Sequence, residues 1–314
     1  MSSDIWSLPL EANQAKAVGK LKPLTTDAAK AQLPALSADG SKMVYVSDKS
    51  GVRDVWVSDP NGKADEAVTT FRTIGYRPLL SPDGKQLVFP VFQNKKCTVT
   101  LLDLGPPGRL TELKGCFSIW DWSPDGSSLL TFQPGLTKTV DLMKISTGAR
   151  QPVLLPRSGN LFGARFSPDG RWIAFAAGPS GARAKVFIAP LRSSPPPERE
   201  WIAVSSETGG DPAWSPDGNV LYFRSKRDGF YCIWAQRLGS GKAPIGEPIG
   251  VLHLHSSLGL TFLRSTDLGI AVTRDRLTLN LGRMTGNIWT MDLPRNRQPQ
   301  VMALAPDGRS VHPD

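Results

Sequence analysis

A four-residue motif, Ser-(Pro/Ala)-Asp-Gly, recurs through the chain and constrains its fold more than any other feature. Its copies begin at Ser37, Ser81, Ser123, Ser167 and Ser215, so successive copies start 44, 42, 44 and 48 residues apart. A regular spacing of this length indicates a fold built from repeated supersecondary units. A four-stranded propeller blade has this length, so the spacing predicts an all-β propeller.

The chemistry of the motif is that of a tight turn. Proline restricts φ, aspartate bonds to nearby backbone, and glycine accepts a positive φ. β-like runs flank it, such as Lys85–Phe89 and Arg171–Phe175. Each copy therefore predicts a hairpin turn between the first two strands of a blade. A sixth, degraded copy lies at 273–275, where the glycine is lost. One aspartate on each separate hairpin does not form a metal cluster.

A third strand is predicted in every repeat. Tryptophan recurs in one register of this strand, at 56, 234 and 289, which favours packing between blades. The third-strand copies are 54–58, 98–104, 140–145, 185–191, 233–238 and 287–293.

The Ser-Pro-Asp-Gly turns, the Ile-Trp strand and a closing Leu-Thr together resemble the TolB-like, WD-repeat-like propeller family over roughly residues 33–293. The resemblance implies an all-β chain with six four-stranded blades. The six repeats cover approximately 33–71, 77–113, 117–155, 161–205, 211–256 and 260–304.

The two ends do not fit a simple ring. Residues 1–28 read as the third and fourth strands of a partial blade, residues 29–304 as the propeller, and residues 305–314 as a tail. The N-terminal strands either close a seventh blade together with residues 299–312, or are the remnant of a longer protein beside six complete blades. We favour six blades, and residues 21–24 could then supply the outer strand that the last repeat lacks.

Charge and cysteine content narrow the classes of partner and compartment. The formal net charge is +9, but lysine and arginine are scattered, so we expect no specific nucleic-acid binding. The three cysteines have no Cys-x-x-Cys spacing and are expected to be small buried residues, with a Cys97–Cys116 bridge left open. The sequence has no membrane-spanning stretch and no signal peptide at its start, which predicts a cytoplasmic chain, or an extracytoplasmic one within a longer protein.

Catalytic signatures are missing from the sequence. The chain has three histidines and no Gly-x-Ser-x-Gly elbow, so we expect no enzyme and no cofactor. His253 and His255 share one face of a strand and could chelate a metal. Glu247 is the nearest carboxylate in sequence, so we expect exposed polar residues there and no metal site.

What remains is binding at a channel mouth near the starts of the inner strands. Arginines there favour an acidic or carboxylate-bearing protein or peptide. We expect a monomer that serves as the sensory or scaffolding part of a larger bacterial regulator. The alternative is an accessory propeller that gates substrate entry to a hydrolase, such as a peptidase, whose catalytic domain lies outside this sequence. The expected lining is Tyr76, Arg77, Phe117, Trp120, Phe162, Arg165 and Asp211.

Overall fold

Six antiparallel sheets form the protein in a computed structural model. Every described residue belongs to one compact unit, residues 1–284. No helix among these residues is long and apolar enough to cross a membrane. The residues that the structure describes are 2–27, 29–69, 77–93, 96–113, 115–133, 136–255, 260–261 and 269–283.

Blades 1 to 5 follow one another along the chain, whereas blade 6 combines both ends of the compact unit. Blade 6 takes its outer strands from the N-terminus: β1 (Ser2–Glu11), β2 (Lys16–Ala17) and β3 (Lys22–Pro23). Blade 1 has β4 (Ala31–Leu36), β5 (Met43–Ser47), β6 (Asp54–Ser58) and β7 (Glu66–Ala67). Blade 2 has β8 (Leu79–Leu80), β9 (Gln86–Gln93), β10 (Lys96–Asp103) and β11 (Leu110–Leu113). Blade 3 has β12 (Ser118–Trp122), β13 (Ser128–Gln133), β14 (Leu136–Lys144) and β15 (Arg150–Leu154).

The remaining strands complete the ring. Blade 4 has β16 (Asn160–Phe166), β17 (Trp172–Gly178), β18 (Lys185–Pro190) and β19 (Ile202–Ala203). Blade 5 has β20 (Gly209–Trp214), β21 (Val220–Ser225), β22 (Cys232–Leu238) and β23 (Pro244–Leu252). Blade 6 begins with β24 (Leu260–Thr261), β25 (Ala271–Val272) and β26 (Arg276–Arg283). The first strands contact one another in a closed cycle, from β4 through β8, β12, β16, β20 and β25 back to β4. This arrangement confirms the predicted six-bladed propeller.

A local hydrogen-bond network explains why the repeated motif makes a hairpin. In blade 2 the Ser81 hydroxyl donates to Asp83 Oδ1 at 2.6 Å and accepts from the Gln86 amide at 2.9 Å. Asp83 Oδ1 also accepts from the Lys85 amide at 3.1 Å. Gly84, at φ +66°, donates its amide to the Ser81 carbonyl at 2.9 Å. The side chains of Ser81 and Asp83 and the nearby backbone groups satisfy one another, so the motif supplies the hydrogen bonds of its own turn.

The same serine-to-aspartate bond recurs in the other turns, which confirms that the motif is structural. The degraded copy keeps it as well, because Thr273 Oγ1 donates to Asp275 Oδ1 at 2.9 Å between β25 and β26. The serine pairs are Ser37–Asp39, Ser123–Asp125, Ser167–Asp169 and Ser215–Asp217, at 2.5–2.6 Å.

The core lies between blades. One buried cluster joins blades 1, 2 and 3, and four others join blades 3 and 4, 4 and 5, 5 and 6, and 6 and 1. Trp234 packs against the cluster between blades 4 and 5, and Trp56 packs against the one between blades 6 and 1. Both confirm the predicted interblade role of this register. Trp289 lies outside the described residues.

Ring closure depends on the N-terminal strand. β1 pairs antiparallel with β26, from Ser2 opposite Arg283 to Pro9 opposite Arg276, and so occupies the third-strand place of blade 6. β2 and β3 pair with β1 and serve as the outer strand. The segment 287–293, which the sequence predicts for the third-strand place, lies outside the described residues, as do residues 299–312 and the tail 305–314.

Asn280 is the polar centre of this closure. Its amide nitrogen donates to Ser3 Oγ at 3.0 Å, to the Asp4 carbonyl at 3.1 Å and to the Ala31 carbonyl at 2.8 Å. Ser3 Oγ itself donates to the Ala31 carbonyl at 3.0 Å. One buried amide thus joins β26, β1 and the first strand of blade 1 across the two ends of the ring.

A disulfide adds a second long-range constraint. Cys97 in β10 and Cys116, just before β12, are bonded with a Cα–Cα distance of 5.2 Å. The expectation of three small buried cysteines is therefore wrong for this pair, and the bridge that was left open is present. Cys116 is exposed, and only Cys232 is free and buried among the described cysteines.

Replacing Asn280 should weaken ring closure. Asn280→Ala removes the buried hydrogen bonds that join β26 to β1 and to blade 1, so we expect the free energy of unfolding to fall by about 2–3 kcal/mol. Urea unfolding followed by circular dichroism measures this change. Gln151→Ala, which removes an exposed amide from the outer strand β15, serves as the control and should differ from wild type by less than about 0.5 kcal/mol. Equal effects from both variants would contradict the assigned role of Asn280.

Removing the disulfide should lower stability without changing the fold. Cys97→Ser/Cys116→Ser releases a loop of 19 residues' separation, and we expect a loss of about 2–4 kcal/mol because the unfolded chain gains freedom. Thiol counting in denaturant should find one thiol in the oxidised wild type and three after reduction. Three thiols before reduction would show that the bridge does not form.

The turn aspartates should make the fold sensitive to acid. The Ser37, Ser81 and Ser123 hydroxyls, followed by backbone amides, lower the pKa of Asp39, Asp83 and Asp125 below the ordinary value of 3.8. Because the folded pKa lies below the unfolded one, these bonds stabilise the protein fully above about pH 4 and are lost as the pH falls through the lowered pKa.

We therefore expect the urea midpoint to drop steeply between about pH 4.5 and 3 in wild type. The drop should be shallower in Asp39→Asn/Asp83→Asn/Asp125→Asn, which is already less stable at neutral pH. The exposed carboxylate variant Glu112→Gln should follow the wild-type curve. Parallel acid curves for all three proteins would show that the turns do not set the acid response.

Candidate functional site

A cavity of about 440 Å³ opens where the inner strands run into the repeated turns. All six blades contribute the same two positions, one and two residues before the first residue of the turn, which we name position −1 and position −2. Position −2 holds Ala35, Leu79, Asp121, Arg165, Ala213 and Ala271, and position −1 holds Leu36, Leu80, Trp122, Phe166, Trp214 and Val272. The turn residues Ala38, Pro82, Pro124, Pro168 and Pro216 also line it.

Irregular strands decide which side chains face this cavity. The pairing of the first two strands shifts register between Gln32 and Ala35, Ile119 and Asp121, Phe162 and Arg165, and Gly210 and Ala213. Such bulges reorient the side chains that follow them and are common beside binding sites. Position −4 adopts a left-handed conformation in four blades. The residues are Leu33 at φ 56°, Gly163 at 61°, Asp211 at 54° and Gly269 at 62°.

Three charged side chains line the cavity: Arg77, Arg165 and Asp121. Both arginines reach back to the preceding blade, because Arg77 Nε donates to the Pro34 carbonyl at 3.1 Å and Arg165 Nη1 donates to the Trp120 carbonyl. The charged part of the described cavity wall thus consists of two cations and one carboxyl group.

Asp121 connects blades 3 and 4. Its Oδ2 accepts a hydrogen bond from the Phe166 amide at 2.8 Å. Burial raises the pKa of Asp121 above its ordinary value, while the Arg165 charge, the backbone amides and the Arg77 charge act in the opposite direction. Burial thus disfavours the charged form of this carboxyl group relative to water, and the two arginines favour it.

The sequence predicts the lining near the inner-strand starts, and of the six expected residues that the structure describes, Arg77 and Arg165 line the cavity. Phe117 lies in the core, with the Arg150 guanidinium 3.9 Å from its ring centre. Trp120 stacks on Phe132 between blades 3 and 4, with ring centres 4.2 Å apart. Phe162 is half-buried away from the cavity lining. Tyr76 lies outside the described residues.

Asp211 is also buried, but it serves its own blade. Its Oδ2 lies 2.9 Å from Arg224 Nε, and the Arg224 guanidinium lies 4.7 Å from the Tyr231 ring centre. The ion pair holds a non-glycine residue in the left-handed region, a conformation that costs about 1 kcal/mol or more. Asp211 is therefore a structural residue of blade 5 and lies outside the cavity lining.

Sequence reasoning missed Asp121 and the turn prolines. Sequence reasoning places Asp211 in the lining, yet the carboxyl group that faces the cavity is that of Asp121 in β12. The signal was present in the repeat itself, because aligning the turns places Asp121 and Arg165 at the same position −2 in neighbouring blades.

Comparison with known proteins shows which propellers the chain is similar to. No protein-family profile matches the chain. A protein named TolB homolog, from Chlorobium chlorochromatii, is 33% identical over 143 residues, covering 45% of this chain and 32% of that protein. An uncharacterized peptidase, YuxL of Bacillus subtilis, is 25% identical over 202 residues, covering 60% of this chain and 28% of its own length. The chain thus spans about a third of the curated relatives that it matches.

Solved structures agree on the fold. The structure of a putative TolB from Agrobacterium tumefaciens superposes with a TM-score of 0.63 at 19% identity, covering 89% of this chain and 98% of that one. Together with the six blades and the repeated turns, this likeness shows a six-bladed β-propeller whose fold is similar to that of the solved TolB structure.

Proposed function

We propose that this propeller is a non-catalytic binding module whose cavity takes an acidic or carboxylate-bearing segment of a protein or peptide. The single observation that carries the proposal is the pair of buried arginines, Arg77 and Arg165, in a cavity whose described lining contains one carboxyl group, that of Asp121. Charge-assisted hydrogen bonds to carboxylates are strongest where water is partly excluded.

The rest of the lining supports a peptide rather than a small ion. The two positions before the turns are mostly apolar, and the turn prolines extend that surface outward. A volume of about 440 Å³ lies within the usual range for ligand sites. Apolar walls around a few charged groups suit a ligand side chain or chain end that has both apolar and charged parts.

The catalytic alternative has little support in the part of the chain that the structure describes. His253 and His255 lie near the start of β22 and the end of β23, at the opposite end of blade 5 from the cavity-lining Trp214. No described histidine therefore lines the cavity to serve as a general base, and one carboxyl group cannot supply the six to eight oxygens of a calcium site.

An acidic probe tests the proposal directly. A short oligoglutamate peptide should bind wild type and change the fluorescence of Trp122 and Trp214, whereas the matched oligoglutamine peptide should not. Arg165→Gln should weaken binding of the acidic probe by about tenfold or more, because a charge-assisted contact is lost. Asp121→Asn should strengthen binding, because it removes the opposing charge while keeping an acceptor for the Phe166 amide.

Arg171→Gln is the matched control, since Arg171 is an exposed arginine on a turn at the same end of the ring. It should bind the probe like wild type. If Arg165→Gln does not fold, the gain in Asp121→Asn carries the test alone. Equal binding of the acidic and neutral peptides, or no change in either cavity variant, would overturn the proposal.

A second candidate function is the gating of substrate entry for a hydrolase. The relative named as a peptidase favours it, because that match covers 60% of this chain. The two candidates separate by gene context: a peptidase domain in the same reading frame supports gating, whereas a regulatory domain supports a sensory role.

The disulfide bears on the compartment. Disulfides persist in oxidising surroundings and are rare in the cytosol. We therefore favour the extracytoplasmic alternative over the cytoplasmic one, on the strength of the Cys97–Cys116 bond. Trapping of free thiols in intact cells, followed by thiol counting, distinguishes the two compartments.

A further inference from the structure

Four side chains with metal-binding atoms meet in blade 5, away from the cavity. Asp228 lies in the hairpin between β21 and β22, Cys232 begins β22, and His253 and His255 follow β23. Their ligand atoms all lie within 4.8 Å of one another. The sequence separates the two pairs by about twenty residues, so the expectation of exposed polar histidines missed both partners.

The distances from Asp228 Oδ2 to the other three ligand atoms are close to those between the ligands of a tetrahedral zinc site. Asp228 Oδ2 lies 3.0 Å from His253 Nδ1, 3.3 Å from His255 Nε2 and 3.5 Å from Cys232 Sγ. Zinc bonds of about 2.0–2.1 Å to oxygen and nitrogen and about 2.3 Å to sulfur give tetrahedral ligand separations of about 3.3 Å and 3.5 Å. The arrangement needs shifts of only about 1 Å to bring every pair to these separations.

Neighbouring groups orient the ligands. The second oxygen of Asp228 accepts the Phe230 amide at 3.2 Å, and the Phe230 ring stacks on His255 with centres 4.7 Å apart. The edge of Trp234 packs against His253, with ring centres 5.5 Å apart. Supporting contacts of this kind fix the ring orientation of metal-binding histidines.

Gly250 makes room for the His253 ring. A Cβ atom at this position would lie 2.4 Å from His253 Nε2, so a larger residue would displace the ring from its present place. The Nδ1 atom of the same ring faces Asp228.

We propose that Asp228, Cys232, His253 and His255 bind a zinc ion. Two imidazoles, a thiolate and a carboxylate are all zinc ligands, and four protein ligands in a tetrahedral arrangement define a closed, structural site. Cys232 is buried, whereas a quarter to two-fifths of the Asp228, His253 and His255 side chains is exposed, which leaves a path for the ion to enter. Zinc here joins the β21–β22 hairpin to the end of β23 and so fastens the outer part of blade 5.

The experiment uses the full chain, stripped of metal and titrated with Zn²⁺ against a chromogenic chelator. We expect one zinc per chain in wild type. His253→Gln/His255→Gln, which keeps side-chain volume and hydrogen bonding, should bind at least about tenfold more weakly. Glu247→Gln removes a nearby exposed carboxylate outside the cluster and should bind like wild type. Zinc should raise the melting temperature of wild type and of this control, but not that of the histidine variant.

Cobalt binding provides a spectroscopic readout in the wild-type protein itself. Co²⁺ in wild type should give the visible bands of a tetrahedral ion and a thiolate charge-transfer band, and Cys232→Ser should lose the latter. Wild type without these bands, or zinc affinity unchanged by the histidine substitutions, would overturn the proposal and leave Asp228 as the acceptor of a hydrogen-bond network.

Discussion

The pairing of β1 with β26 is the constraint on which the other parts depend. Every hydrophobic cluster in this fold lies between blades, so no blade has a complete core until it has neighbours on both sides. The N-terminal strand supplies the last of these neighbours, and the Asn280 amide joins it to both blade 6 and blade 1. The pairing also covers the edge of β26, which would otherwise be open to pairing with other chains. Without it, the inner strands would not surround a cavity.

The local parts of this architecture could be predicted from the sequence. The turn motif specifies its own hydrogen bonds within six residues, as Ser81 and Asp83 illustrate, so a hairpin follows from the sequence alone. The regular spacing of these turns then predicts the blades. The preference for six blades follows in the same way, because the degraded copy at Thr273 keeps the hydrogen bond from its hydroxyl to Asp275.

The remaining features of the structure depend on contacts between distant parts of the chain, which the spacing of the turn motifs does not determine. The strand that fills the third place of blade 6 pairs with an edge that becomes available only when the ring forms, because the paired residues of β1 and β26 lie between 267 (276 − 9) and 281 (283 − 2) positions apart in the chain. The directions of the Trp120 and Asp121 side chains depend on a bulge in β12. The indole of Trp120 packs in the core, and the carboxyl group of Asp121 lines the cavity. The meeting of Cys232 with His253 likewise requires the register of β22 and β23, which turn chemistry does not fix.

Position −2 has a consequence for how a protein of this shape can diversify. Each blade contributes one side chain at this level, and in this chain the six are three alanines, a leucine, an aspartate and an arginine. The turn that follows is held by its own serine or threonine and its aspartate, so the hairpin does not require a particular residue at position −2. The residue at position −2 can thus change in one blade, and with it what the cavity binds, while the hairpins of the six blades stay the same.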